Sequence, residues 1–450
     1  METYHKFDNK GPYACIDLKS FYASVECVDR GLDPFKVNLV VADESRGKGS
    51  ICLAITPAMK ARGVKNRCRL FEIPRHISYI TAPPRMHRYM EVAAQIYGIY
   101  LDYMAPEDIH VYSIDEVFLD FGPYGPSRGM KSGRALTQEL MAAVFQQTGV
   151  CATGGVGTNL FLAKVALDIL AKHAPDNIGE LDELSFQRRI WHHRPITDIW
   201  QIGPGIARRL AAYGVHDLYG VTQLSEDLLY KSFGVDAELL IDHAWGRESC
   251  TMEDIHNYRT SSKSLSKGQI LFRDYSFEEA LLPLREMVDT LVLDLVKQGY
   301  KTRSISLRVG YSDDRWRPGG SRIPSTGLSK RLIDYSDSYQ YLSQLVEEAY
   351  YASTHRDHPI RRLNISFGHL GRGDDLPLME DLFAQDLSVG RLSREQEEKE
   401  GRLQRAVAQI QNKFGKNAIL RAMSLEDHGT ARIRNGLIGG HRGGEGETIE

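Results

Sequence analysis

The stretch Tyr112-Ser113-Ile114-Asp115-Glu116-Val117-Phe118-Leu119-Asp120 sets two adjacent carboxylates inside a run dominated by apolar, β-branched and aromatic residues. Its flanks, Ile109 to Ile114 and Val117 to Phe121, read as strands. A two-residue break between two such runs predicts a tight β-hairpin with Asp115 and Glu116 at its tip. Carboxylates held that close repel each other and raise each other's pKa unless a cation neutralises them, so the pair asks for a metal. On the hairpin alone, an exposed Asp-Glu turn cap explains the same residues about as well. The rest of the chain has to decide.

At 450 residues the chain is too long for one core and predicts about three domains of ~150 residues each. Hydrophobic content of 42% and charged content of 26% are ordinary for soluble proteins. No apolar run approaches the ~18 residues needed to span a bilayer. The polar start, Met1 to Lys10, has no apolar signal core and predicts a cytoplasmic protein. Cys15, Cys27, Cys52, Cys68, Cys151 and Cys250 are scattered without a Cys-x-x-Cys pair, which predicts buried thiols rather than a zinc site or disulfide framework. A net charge of −3 argues weakly against a nucleic-acid partner, yet His256 to Leu370 carries 17 Lys and Arg against 13 Asp and Glu. That local excess points to a basic face.

The order of predicted elements narrows the fold. Tyr13 to Leu18 reads as a strand entering a helix from Phe21 to about Asp29, and Arg85 to Tyr103 as a long amphipathic helix. After the hairpin come a helix from about Met130 to Thr148, a strand Val150 to Val156 and a helix Leu160 to Lys172. With Val37 to Tyr79 set aside, the order is β-α-β-β-α-β, the ferredoxin-like pattern. In that fold the first strand lies beside the hairpin, so Asp17 at its end converges on Asp115 and Glu116. Three carboxylates on a sheet edge suit two Mg²⁺ ions, which take oxygen ligands and complete their shells with water and substrate phosphate. Such a pair serves in-line phosphoryl displacement, hence nucleotidyl transfer, although nucleotide cyclases use a similar domain.

Other motifs name the substrate. Ile16-Asp17-Leu18-Lys19-Ser20-Phe21-Tyr22-Ala23-Ser24-Val25-Glu26 and Ser113-Ile114-Asp115-Glu116 resemble the two signature blocks of the Y-family DNA polymerases, translesion enzymes of the DinB and UmuC type. The resemblance runs from about Tyr13 to Leu370 and leans toward UmuC-like proteins of Gram-positive bacteria. It implies an α+β, multidomain architecture: a ferredoxin-like palm (1–36 and 80–174), a fingers insertion (37–79), a helix-hairpin-helix thumb (175–255), a little finger (256–370) and a C-terminal tail (371–450). It also implies that Asp17, Asp115 and Glu116 are catalytic and bind two Mg²⁺ ions with the Leu18 carbonyl. Tyr22 then matches the steric gate against a ribose 2′-hydroxyl, with Phe21 beside it. In Pro57-Ala58-Met59-Lys60-Ala61-Arg62-Gly63-Val64, Lys60 falls at the family's triphosphate Arg and Pro57 at its Tyr. Lys60 is a point charge where the family has a bidentate fork. Lys172 matches the lysine that reaches the β and γ phosphates, with one extra residue in the register. Gly154-Gly155-Val156-Gly157 fits no P-loop and predicts a tight turn from strand into helix.

Asp198 to Leu210 reads as a helix-hairpin-helix, whose free backbone N–H groups suit a phosphate, with Gly203, Gly205 and Arg208 as DNA contacts. In the little finger Lys263, Lys267, Arg303, Arg308 and Lys330 are candidate phosphate contacts, and solvated surface explains any one of them equally. Met379-Glu380-Asp381-Leu382-Phe383 stands where relatives carry a sliding-clamp motif; Leu382 and Phe383 would be its apolar anchor, and a packing contact is the other reading. Ser393 to Glu450 predicts a charged helix with a frayed, Gly-rich end. The function implied is low-fidelity, template-directed DNA synthesis past damaged bases by a monomer, on primer-template DNA with dNTPs. A non-catalytic DNA-binding scaffold is the rival, and all three carboxylates weigh against it. A cyclase would have no use for the helix-hairpin-helix or the basic sheet.

Overall fold

A computed structural model describes residues 12–124, 132–260, 263–312, 323–372 and 393–444. These fall into two units that divide between Tyr258 and Arg259. In the first, the apolar strand β1 (Tyr13–Leu18) is buried apart from a partly exposed Asp17. It leads through Ser20, left-handed at φ 49°, into α1 (Phe21–Asp29). Next come β2 (Leu39–Val41), β3 (Ala54–Ile55), α2 (Pro57–Ala61), β4 (Ile80–Ala82) and α3 (Met86–Leu101). Then follow β5 (Ile109–Val111), β6 (Glu116–Asp120), α4 (Gly133–Thr148), β7 (Ala152–Gly157), α5 (Leu160–Val165) and β8 (Ile178–Leu181). The main sheet runs β5-β6-β1-β7-β8, and its first four strands are those of the ferredoxin-like pattern. β1 is antiparallel to both neighbours, with Asp17 opposite Glu116 on one side and Thr153 on the other.

Three sequence expectations are corrected here. The hairpin turn spans 112–115 instead of two residues, and Glu116 already lies in β6: the N–H groups of Tyr112 and Ser113 both donate to the Glu116 carbonyl at 3.0 Å. Ser113 Oγ bonds Asp115, a local interaction that competes with the strand ladder and widens the turn. The sheet also gains β8, parallel to β7, beyond the boundary expected at 174; Ile178-Gly179-Glu180-Leu181 is too short to announce a strand. Finally, β4 pairs with β2 in a separate sheet of order β3-β2-β4, so that insertion runs to Ala82 and not 79.

The glycines of β7 do something other than turn the chain. A Cβ on Gly155 would overlap the backbone of Ala163 and Leu167, and one on Gly157 the backbone of Leu162 and Ala163. They are the gap through which α5 lies directly on the sheet, its start capped by Asn159 Oδ1, which accepts from the Leu162 N–H at 2.8 Å. The helix does not continue as α to Lys172. It passes through a π turn, Ala166–Leu170, and a 3₁₀ turn, Ala171–His173. A π turn absorbs one additional residue, which accounts for the longer register noted before Lys172.

The first unit ends in α6 (Glu183–Ile190), a 3₁₀ turn (Ile196–Asp198), α7 (Pro204–Ala211), α8 (Leu218–Thr222), α9 (Glu226–Phe233), α10 (Asp236–Ala244) and α11 (Met252–Asn257). The expected helix-hairpin-helix therefore opens with a 3₁₀ turn in place of a first α-helix. Its apolar residues share a core with the main sheet layer, Phe186 and Leu210 packing in one cluster with Phe161 and Leu181.

The second unit is β9 (Leu265–Tyr275), α12 (Leu281–Gln298), β10 (Tyr300–Tyr311), β11 (Thr326–Ser336), α13 (Tyr339–Ser353) and β12 (Ile360–Gly368), with sheet order β11-β10-β12-β9. Ile305, Leu307 and Val309 point into a core with α12 and α13, while Ser304, Ser306 and Arg308 alternate on the open face. The tail also differs from its frayed expectation. After α14 (Arg394–Phe414), the N–H and hydroxyl of Thr430 and the N–H of Ala431 in α15 (Ala431–Asn435) donate to Glu286 Oε2 at 2.8 to 2.9 Å. Glu286 is only 2% exposed, so the tail supplies donors that a buried carboxylate needs. No helix among the described residues is long and apolar enough to cross a membrane.

Gly155→Ala is expected to lower the urea midpoint by the equivalent of about 3 kcal/mol, because helix and sheet must separate to admit the methyl group. Gly203→Ala, where a Cβ meets nothing within 4 Å, should stay within about 0.5 kcal/mol of the unaltered protein.

Candidate active site

Asp17, Asp115 and Glu116 meet because β1 and β6 pair in register. The Leu18 N–H donates to the Asp115 carbonyl at 2.9 Å and ties the strand end to the hairpin. Glu116 Oε1 accepts from Lys164 Nζ at 2.7 Å and from Cys15 Sγ at 3.1 Å. Asp115 Oδ1 accepts from Ser113 Oγ at 2.7 Å. Burial pushes the Asp17 carboxyl up from 3.8 to about 7, Asp115 and Glu116 add to the rise, and Lys164 and Lys172 oppose it.

No three acidic, cysteine or histidine side chains among the described residues are gathered at ligand distance. Glu116 faces Lys164 and Cys15, and Asp115 faces Ser113. The available donors are carboxylate oxygens, and a desolvated Asp17 facing two further carboxylates is the arrangement a hard divalent ion relieves. The residues fit Mg²⁺.

The expected nucleotide residues surround this edge. Phe21 is buried, and Tyr22 is partly exposed with its ring 5.7 Å from that of Phe21. Tyr22 lies flat on Tyr89 at 4.4 Å and 15°, and the Tyr89 hydroxyl donates to buried Glu26 at 2.7 Å. Glu26 is also bound by Arg85 at 2.8 Å and by Arg30. Burial raises the Tyr22 pKa, the charge of Asp115 raises it further, and Arg67 opposes the rise. Lys60, in α2, is open to water along its surface, yet desolvation lowers its pKa, while Asp17 raises it and Lys172 lowers it. Both lysines therefore act on the same electrostatic site. Lys172 Nζ stands 3.6 Å from Asp168.

The candidate DNA contacts divide into two groups. Gly203 caps α7, Gly205 lies in its first turn with open space around both, and exposed Arg208 returns its Nε–H to the Pro204 carbonyl at 3.3 Å. In the second unit Lys263 Nζ donates to the Tyr300 hydroxyl at 2.7 Å, and Arg303 lies 5.6 Å over the Tyr335 ring. Arg308 stands on the open sheet face. Lys267 and Lys330 do not: Lys330 is opposite Ile305, a core residue, and pairs with Glu348 at 3.4 Å, while Lys267 pairs with Asp294 of α12 at 2.9 Å. Both are turned to the helical side. The register instead puts Arg331 opposite Ser304 and Arg362 opposite Gly310, among Ser306, Ser329, Asn364 and Ser366. Leu382 and Phe383 lie outside the described residues.

The description "impB/mucB/samB family" matches residues 16–168, and the C-terminal domain of the same family matches residues 262–378. The chain belongs to the impB/mucB/samB family. It is 31% identical to a candidate UV-damage repair protein, UvrX, of Bacillus subtilis (strain 168), over 98% of this chain and 100% of that one. DNA polymerase IV 2 of the same organism is 28% identical over 95% of this chain and 97% of its own. DNA polymerase IV of Moorella thermoacetica is 26% identical over 92% and 96%. Among solved structures, a Y-family DNA polymerase chimera superposes with a TM-score of 0.61 at 20% identity, over 80% of this chain and 99% of that one. The fold is that of the Y-family polymerases.

This impB/mucB/samB member carries residues that the sequence reading passed over. Lys164 stands four residues before Asp168 and eight before Lys172, a helical spacing that the assumed uninterrupted helix contained but did not single out. Tyr89 falls within the amphipathic helix predicted over Arg85 to Tyr103, and nothing in its spacing set it apart. Arg331 and Arg362 were legible only through strand alternation once the partners of Ile305 were known.

Asp17 gives the fold a definite pH response. Its folded pKa of about 7 lies above the ordinary 3.8, so its contribution is fully present below pH 3.8 and is lost as pH rises through 7. The protein without bound metal should lose about 4 kcal/mol across that window through this group. Asp17→Asn should flatten the profile in urea titrations, and Mg²⁺ should restore stability to the unaltered protein near neutral pH but not to the variant.

Proposed function

We propose that this chain is a template-directed DNA polymerase of the error-prone translesion type, extending a primer 3′ end with deoxynucleotides past damaged template bases. The observation that carries the reading is the pairing of Asp17 with Glu116 beside Asp115, with Tyr22, Lys60 and Lys172 grouped on the same edge. Asp17, Asp115, Glu116 and the Leu18 carbonyl would hold two Mg²⁺ ions, which would supply charge stabilisation for an in-line displacement. Lys60 and Lys172 hold the triphosphate as point charges. Tyr22 closes the space under the incoming sugar, so a 2′-hydroxyl collides with a ring that Tyr89 prevents from retreating.

The main sheet is then the palm, the small sheet the fingers, the α6–α11 region the thumb and the second unit the little finger. Gly203, Gly205 and Arg208 grip the DNA backbone from the thumb, and Arg308, Arg331 and Arg362, with Lys263 and Arg303, line the little-finger face. Such contacts position the duplex without reading sequence, as a grip on any template requires. We further propose that the protein acts as a cytoplasmic monomer and reaches a sliding clamp through Leu382 and Phe383. The scaffold alternative gains nothing from Tyr22, Lys60 and Lys172, which have no role without a nucleotide.

Primer extension on undamaged and lesion-bearing templates tests this. Mg²⁺-dependent extension is expected, and Asp115→Ala should reduce it by roughly 10³-fold or more; no extension by the intact protein would sink the reading. Tyr22→Ala should admit ribonucleotides while leaving dNTP insertion measurable. In fluorescence-anisotropy titrations across salt, Arg308→Ala, Arg331→Ala and Arg362→Ala should each reduce the log–log salt slope by about 1. Lys267→Ala and Lys330→Ala should leave that slope unchanged.

A further inference from the structure

The two oxygens of Glu116 are used unequally. Oε1 takes the Lys164 ammonium at 2.7 Å and the Cys15 thiol at 3.1 Å. No hydrogen bond to Oε2 occurs among the described residues. Lys164 is itself fixed: its side chain is 9% exposed, it projects from the helix that the β7 glycines admit onto the sheet, and Asp168 one turn later holds it at 3.1 Å. An ammonium held between two carboxylates at that depth has little freedom to leave.

We infer that Lys164 is a positioning residue for the metal-binding carboxylate: by occupying Oε1 it fixes the Glu116 rotamer and leaves Oε2 as the oxygen offered to a divalent ion beside Asp17. The inference rests on the reading of Asp17, Asp115 and Glu116 as metal ligands. Two consequences of the same side chain oppose each other. A cation next to a metal site repels the incoming ion, so removing it by that effect alone tightens binding. Losing the hydrogen bond that orients a ligand loosens binding, by about 10- to 100-fold where such outer partners have been removed from metal sites. If Lys164 positions Glu116, the second effect wins, and the sign of the change separates a positioning role from a charge-balancing one.

The measurement is Mn²⁺ binding to the full-length protein, without DNA or nucleotide, followed by the loss of free-ion signal in electron paramagnetic resonance. Lys164→Met is expected to weaken binding about 10-fold although it removes a positive charge. Lys164→Gln, which keeps a donor of shorter reach, should fall between the two, and it carries the same test if the Met variant does not fold by near-UV circular dichroism. Glu116→Gln should weaken binding on its own, and adding Lys164→Met to it should cost nothing further, because the group being oriented has gone. Equal or tighter Mn²⁺ binding by Lys164→Met and Lys164→Gln, or full additivity in the double variant, overturns the inference. Unchanged binding by Glu116→Gln instead overturns the metal-ligand reading beneath it.

Discussion

Like charge at a sheet edge is the constraint on which the first unit turns. The antiparallel register of β1 and β6 makes Asp17 and Glu116 direct partners, and the Leu18–Asp115 backbone bond adds a third carboxylate. Directly opposed like charges destabilise a sheet, and here burial compounds the cost by holding the Asp17 carboxyl near neutrality. The arrangement is unfavourable for the resting fold and favourable for binding divalent cations. The neighbouring groups follow from that conflict: Lys164 and Cys15 occupy one oxygen of Glu116, Ser113 occupies one of Asp115, and Lys60 and Lys172 place positive charge on the rim.

The cations reach the edge because of backbone contact made possible by missing side chains. β7 is Ala-Thr-Gly-Gly-Val-Gly, and its glycines let α5 lie closer to the sheet than any residue with a Cβ allows. The π turn that follows keeps Lys164, Asp168 and Lys172 connected as a ladder of alternating charge, with separations of 3.1 and 3.6 Å. Polar chemistry at the site thus depends on the close packing of helix and sheet that the glycines allow. Tyr22 is supported in a similar way: it rests on Tyr89, which is anchored by a buried Glu26 shared with two arginines.

In the second unit the division of labour is between faces. Core side chains from one set of alternate strand positions meet α12 and α13, leaving the other set to solvent, and on β10 and β12 that set includes Ser304, Ser306, Arg308, Arg362, Asn364 and Ser366. The tail covers part of this unit, with Thr430, Ala431 and Arg434 donating to Glu286, Gln269 and Thr290. A carboxylate only 2% exposed on α12 draws its donors from the chain some 145 residues further on.

The sequence by itself determined whatever is written in local periodicity and in short motifs. The β-α-β-β-α-β order, the limits of β1 and α1 and the second unit's strand and helix order all follow from apolar spacing. The convergence of Asp17 with Asp115 and Glu116 follows from the topology that this order implies. Tertiary structure alone decided which way a charge faces and what holds it. Lys267 and Lys330 look like Arg308 in the sequence, yet the pairing register turns them toward Asp294 and Glu348. Lys164 becomes part of the site only because helix and sheet touch, β8 and β4 become strands only through their partners, and the tail gains order only through a buried acid elsewhere. Each of these depends on contacts between residues far apart along the chain, whose energies no local pattern records.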